Sequence, residues 1–134
     1  MIKEHKNFGE IHAAEVMISE PLLVSPDDKI STTELLMLRK KIGGLPVVDK
    51  NKLVGIITQR DIRLARFAMS LDFTLVKDLM TEEPIVIKKD TTIKEILSIM
   101  FENNIERLPV VNENNQLIGL VLQQDILKML VDYL

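Results

Sequence analysis

The chain has 134 residues, 46% of them apolar but only 4% aromatic, and a formal net charge of −3. That acidic balance excludes a general nucleic-acid binder, which needs a basic face, and the lack of cysteine removes disulfides, thiolate metal sites and thiol nucleophiles. No apolar run reaches the roughly 18 residues of a membrane span, and Met1–Gly9 is too polar for a signal peptide, so a soluble cytoplasmic protein is expected.

Residues 1–15 form a leader expected to be partly helical and to dock on the body that follows. The apolar run Leu22–Ser25 after Pro21 predicts a strand, and Ile30–Ile42 a helix opened by Ser31 and Glu34 at capping-box spacing and ended by Gly43-Gly44. Leu45–Val48 and Leu53–Thr58 predict a hairpin around Asp49-Lys50-Asn51-Lys52, and a helix then runs from Gln59 to about Met69. Ser70–Lys77 reads as a short linker. The order then recurs: strand Ile85–Ile87, helix Thr92–Asn104 with a box of Thr92 and Glu95, hairpin Leu108–Val111 and Leu117–Leu122, and closing helix Gln123–Leu134. Ile93, Ile96, Leu97, Met100 and Phe101 make the apolar stripe of a half-buried helix. In the first copy Glu34 stands where Leu97 does, and Leu35 and Leu36 lie off the stripe, as a wider buried face or as an oligomer contact.

The recurrence is a duplication. Val16–Ile62 aligns with Leu79–Ile126, with one inserted residue near Asn115, and 17 of 47 positions are identical. Each copy is small enough to be only marginally stable by itself. The expected object is one α/β body with pseudo-two-fold symmetry and equivalent clefts where the copies meet. Its divisions are leader 1–15, repeat 16–69, linker 70–77 and repeat 78–134.

Three features recur in order in both copies. They are Val16-Met17 to Pro21 and Leu79-Met80 to Pro84; the Leu-Pro-Val-Val runs at Leu45 and Leu108; and Gly55-Ile56-Ile57-Thr58-Gln59-Arg60-Asp61 with its counterpart from Gly119 to Asp125. In these features the chain resembles a tandem pair of cystathionine-beta-synthase (CBS) domains, a Bateman module. The resemblance implies β-α-β-β-α units packed through their sheets, frequent homodimerisation, and regulatory binding of adenosine compounds such as AMP, ADP or ATP, with S-adenosylmethionine less expected.

Thr58 meets the start of its helix, where a hydroxyl and free backbone N–H groups suit a phosphate. Asp61, one turn on, offers two acceptor oxygens to a ribose, and the resemblance implies these same roles. The pair is equally a capping box. In the second copy Leu122 replaces the threonine while Asp125 remains, as a second ligand carboxylate or as compensation for the helix dipole. The Asp61 site is therefore expected to take a nucleotide, and the Asp125 site to be empty, weaker or filled by a nucleoside without close phosphate contact. Resemblance adds Ile56, Met80, Ile105 and Glu106 to the first site, and Leu120, Met17, Ile42 and Gly43 to the second. Each of these apolar residues is also ordinary core. Arg107 resembles a phosphate-contacting position, and Gly44 replaces it in the first copy. Arg60, Arg63 and Arg66 share a helix face that is either solvated or turned to phosphate, with Arg60 nearest the helix start. Lys40 and Lys41 suit a helix C-terminus. His5 and His12 make a weak metal case, though His12 aligns with Leu75, a position that approaches adenine in relatives.

No nucleophile–base pair, P-loop or metal cluster is evident, so the expected role is not enzymatic, and neither a cofactor nor a metal is expected. The expected partners are an adenine nucleotide, a second copy and an unidentified regulated protein, with neither nucleic acid nor membrane. The rival readings are a ligand-free assembly or adaptor module and, more remotely, a slow nucleotide hydrolase.

Overall fold

The computed structural model describes residues 7–134. It begins with a 3-10 turn, Phe8–Glu10, which the Asn7 side chain caps by accepting from the Gly9 N–H at 2.9 Å. A short helix α1 (Ala13–Val16) and a two-residue strand β1 (Ile18–Ser19) follow. From Leu22 the chain enters the first of two compact units, Leu22–Pro84; the second joins the residues up to Pro21 with Ile85–Leu134.

The Leu22–Pro84 unit contains α2 (Ile30–Lys40), β2 (Gly44–Asp49), β3 (Lys52–Thr58), α3 (Gln59–Arg66), α4 (Val76–Leu79) and β4 (Thr81–Glu82). Strands β2 and β3 pair antiparallel from Gly44 opposite Thr58 to Asp49 opposite Lys52, with a bulge at Val47/Val48. Lys50 and Asn51 both take positive φ, 50° and 65°, which the right-handed twist of a two-residue hairpin demands. Strand β4 adds on the far side of β3, giving the order β2-β3-β4. Ile30, Met37, Leu45, Val47, Ile57, Ile62 and Val76 are fully buried and form the core.

Several expectations for this unit are corrected. The strand expected at Leu22–Ser25 is a single bridge from Val24 to Val47. The helix begins at Ile30 as expected, but the Ser31–Glu34 capping box does not form, because Ser31 already lies inside the first turn. Lys29 is the N-cap without a side-chain bond, and the Ile30 N–H donates instead to Thr74 O at 3.0 Å. Glu34 is thereby released to pair with Arg66. Lys41, in the left-handed region at φ 56°, ends α2, while Gly44 opens β2. Helix α3 stops at Arg66 and not near Met69.

The second unit repeats the plan with α5 (Ile93–Asn103), β5 (Arg107–Val111), β6 (Leu117–Leu122) and α6 (Gln123–Val131). Here the expected box forms: the Glu95 N–H donates to Thr92 Oγ1 at 3.3 Å and the Thr92 N–H to Glu95 Oε1 at 3.1 Å. Ile93, Ile96 and Met100 are buried and Leu97 is half-buried, but Phe101 is 75% exposed. The stripe is thus one residue narrower than its spacing predicts. The strand expected at Ile85–Ile87 is a single bridge from Ile87 to Val110, and α6 ends at Val131, short of Leu134. The inserted residue near Asn115 lengthens the hairpin turn. Asn112 Oδ1 accepts from the N–H groups of Asn114 and Gln116, each at 2.9 Å, and Asn115 takes φ 60°. The leader docks here. Ile11 and Ala13 are buried in the core, and the ring of Phe8 meets Tyr133 edge-on at 5.1 Å.

The third strand of each sheet comes from the other sequence copy. Strand β4, in the lead-in of copy two, pairs with β3 of copy one; β1, in the lead-in of copy one, pairs with β6 of copy two in the order β1-β6-β5. No described helix is long and apolar enough to cross a membrane.

Candidate functional site

In the Leu22–Pro84 unit the exchanged lead-in brings Met80 to the copy-one motif. Ile56 stands opposite Thr81 in the β3–β4 ladder, and Gly55 opposite Glu82. A Cβ built on Gly55 would lie 2.7 Å from Met80 Sδ and 2.8 Å from Thr81 O. Glycine is therefore required so that Met80 can lie against the strand. Three residues beyond Gly55, β3 runs directly into α3 at Thr58.

Thr58 and Asp61 close a reciprocal box at that junction. The Asp61 N–H donates to Thr58 Oγ1 at 3.1 Å, and the Thr58 N–H donates to Asp61 Oδ2 at 3.0 Å. Capping is thus a fact of the structure. It uses one oxygen of a half-buried carboxylate; Asp61 Oδ1 carries no hydrogen bond among the described residues. The Thr58 hydroxyl accepts one bond and keeps its own proton to donate.

Gln59 is a residue that motif reasoning passed over. Its backbone N–H donates to Gly43 O at 2.9 Å and its side-chain amide to Ile42 O at 3.1 Å. The Ile42–Gly43 segment is therefore tied to the start of α3. The signal was available, since Gln59 and Gln123 are identical at equivalent positions. Arg60 and Arg63 are exposed on α3. Arg66 is not a free cation. It forms a two-pronged bridge to Glu34 at 2.6 and 2.9 Å, which joins α3 to α2. The guanidinium bonds hold the Glu34 carboxyl below its ordinary range, while burial opposes them and the charge of Arg66 adds to them; the pairing raises Arg66 in turn.

The other unit holds the matching parts. Met17 packs over Gly119, and Ile18 stands opposite Leu120 in the β1–β6 ladder. The Gln123 N–H donates to Glu106 O at 2.8 Å, so the Ile105–Glu106 segment is tied to the start of α6 as Ile42–Gly43 is to α3. Leu122 is the N-cap and gives no side-chain bond. Asp125 is half-buried, and its carboxylate makes no hydrogen bond among the described residues. His12 is exposed beside Thr92, where its backbone N–H donates to Glu15 Oε2 at 2.8 Å. His5 lies outside the described residues.

The predicted residues are therefore distributed as follows. Ile56, Thr58, Arg60, Asp61 and Met80 share the Leu22–Pro84 unit, which also holds Ile42 and Gly43; Met17, His12, Leu120 and Asp125 share the other unit with Ile105, Glu106 and Arg107. Among the described residues no group of three or more histidine, cysteine or acidic side chains could hold a metal ion.

Two three-stranded units, each carrying a carboxylate at a strand-to-helix junction and a methionine laid over a glycine, define a duplicated α/β module. Residues 13–67 and 76–132 each match the CBS domain, and the chain belongs to that family. An inosine-5'-monophosphate dehydrogenase of Methanocaldococcus jannaschii is 44% identical over 117 residues, which is 87% of this chain and 23% of that enzyme. The same enzyme of Korarchaeum cryptofilum is 41% identical over 127 residues, 93% of this chain and 26% of the enzyme. The chain thus spans about a quarter of the length of these curated relatives. Among solved structures, CBSX2 of Arabidopsis thaliana in complex with AMP has a TM-score of 0.81 at 26% identity, covering 91% of this chain and 97% of that one. The CBS domain pair of protein MJ0100, in complex with 5'-methylthioadenosine and S-adenosyl-L-methionine, has a TM-score of 0.84 at 25% identity, covering 92% and 98%.

Proposed function

We propose that this chain is a regulatory module that binds an adenosine-containing ligand, chiefly AMP, ADP or ATP, and passes the change to a partner protein. One observation carries the reading: each unit has a half-buried carboxylate with spare acceptor capacity in the first turn of the helix that follows its hairpin. Two acceptor oxygens match the two adjacent hydroxyls of a ribose, and hydrogen bonds to a charged group contribute about 1.5–3 kcal/mol each. The complexes of CBSX2 with AMP and of the MJ0100 pair with S-adenosyl-L-methionine support the ligand class. Similarity confined to about a quarter of inosine-5'-monophosphate dehydrogenase transfers no dehydrogenase activity.

The copies are unequal by the same chemistry. At Asp61 the Thr58 hydroxyl proton and the positive end of the α3 dipole favour a phosphate. At Asp125 the apolar Leu122 favours a ligand whose phosphate is absent or distant.

Isothermal titration with AMP, ADP, ATP, adenosine and S-adenosylmethionine tests the assignment. Asp61→Asn keeps an acceptor for the Thr58 N–H but loses the charge, and it is expected to weaken nucleotide binding at least tenfold without a large change in melting. A ligand at 100 times its Kd adds about 2.7 kcal/mol of stability, several degrees in the parent. Parent-like binding by both Asp61→Asn and Asp125→Asn overturns the site; no binding of any of the five compounds favours a ligand-free adaptor.

A further inference from the structure

Helices α2 and α3 are fastened to each other at both ends, and the equivalent pair is not. At one end Gln59, the first residue of α3, gives two hydrogen bonds to the segment that leaves α2. Its backbone N–H donates to Gly43 O at 2.9 Å and its side-chain amide to Ile42 O at 3.1 Å. At the other end Arg66 bridges Glu34. In the second unit Gln123 keeps the backbone bond, to Glu106 O at 2.8 Å, but its half-buried side chain makes no hydrogen bond among the described residues. Leu97 and Leu130 stand in the places of Glu34 and Arg66, so no ion pair joins α5 to α6 there.

The Gln59 amide is itself fixed. Its partner is a carbonyl, which only the amide nitrogen can serve, so the group cannot turn over without losing the bond. Ile42 is held in turn by its own N–H, which donates to Met37 O at 2.9 Å. The half-buried Gln59 side chain thus anchors the start of α3 to the end of α2. That helix start carries the Thr58 hydroxyl and the Asp61 Oδ1, which has no hydrogen bond among the described residues. Groups held in place before a ligand arrives lose less freedom when it binds. At the start of α6 the side-chain anchor is missing, and Asp125 has no bond to fix it.

We infer that Gln59 is a positioning residue for the Asp61 site: it acts through Thr58 and Asp61 by fixing the helix start on which both stand. The inference rests on the ligand reading above. It adds a second source of inequality between the copies, separate from the exchange of Thr58 for Leu122.

Isothermal titration of the full chain with AMP tests this, in an Asp125→Asn background so that the Asp61 site is read alone. Gln59→Met keeps the side-chain length and loses the amide. It is expected to weaken AMP binding about fivefold, the equivalent of one neutral hydrogen bond. Gln59→Asn, too short to reach Ile42, is a second variant with the same expectation should the first fail to fold. Gln123→Met removes an amide that makes no bond, and its AMP affinity is expected to stay within about twofold. Glu34→Gln loosens the far end of the helix pair; it is expected to lower the melting temperature yet keep AMP affinity within about twofold. An unchanged affinity in the Gln59 variants overturns the inference. So does a loss in Glu34→Gln as large as that in Gln59→Met, which would show general loosening of the unit. A flat titration of the unsubstituted protein overturns the ligand reading itself, and this inference with it.

Discussion

Thr58 and Asp61 each hold the other's backbone N–H, at 3.0 and 3.1 Å, whereas the equivalent Leu122 and Asp125 share no such bond. The first helix start is therefore closed by its own side chains and the second is not. Removing a helix cap costs about 1 kcal/mol. Thr58→Ala and Asp61→Ala should each lower the melting temperature by several degrees. Asp125→Ala should change it by a degree or less, because its carboxylate supports no bond. Equal losses at Asp61 and Asp125 would refute the difference between the copies.

The strand glycines beneath the lead-in methionines give a second test. A Cβ at Gly55 meets not only the flexible Met80 side chain but the backbone oxygen of Thr81 at 2.8 Å. Gly55→Ala should therefore destabilise by about 1–3 kcal/mol, the usual range for overpacking, read from the urea midpoint. Shortening Met80 to alanine in the same chain should recover only part of the loss, since the Thr81 carbonyl stays. Complete recovery would place the clash on the sulfur alone.

Much of this was legible in the sequence for one reason: duplication lets each copy check the other. The hairpins, both long helices and the Thr92–Glu95 box follow from periodicity and capping chemistry that are local in the chain. What was not legible depends on contacts distant in sequence. The Ile30 N–H donates to the carbonyl of Thr74, which sets Lys29 as the N-cap of α2 and leaves Ser31 without a capping role. Arg66 is spent on Glu34, 32 residues away. Phe101 fits the stripe by spacing yet faces solvent, because three buried positions already fill the inner face of α5. At the candidate site the choice between cap and ligand carboxylate could not be made from spacing. Thr58 and Asp61 do cap each other, and the free Oδ1 leaves the second role available.

Thr33 marks a cost accepted in the first copy. It is 2% exposed on the inner face of α2, where the second copy has Ile96, and its hydroxyl has no hydrogen-bond partner among the described residues. An unsatisfied buried polar group costs about 1–3 kcal/mol. Thr33→Val replaces that hydroxyl with a methyl of nearly the same size. The variant should raise the urea midpoint by an amount equivalent to about 1 kcal/mol, with an unchanged slope. A lower midpoint would mean that the hydroxyl is satisfied in solution.

The Glu34–Arg66 bridge predicts a dependence on pH whose sign follows from the carboxylate. Arg66 holds Glu34 below its ordinary range, chiefly by hydrogen bonding. A group with a depressed folded pKa contributes stability above its unfolded value, near 4.3 for glutamate, and loses that contribution as pH falls through the folded value. Glu34→Gln should therefore melt below the parent at pH 7, and the gap should close as the pH drops through about 4 and below. The bridge is solvent-exposed on the arginine side, so added salt should narrow the gap at pH 7 as well. Urea titrations of parent and variant at pH 7, 5 and 3 read this directly. A gap that stays constant across the three would show that Glu34 acts through packing and not through its charge.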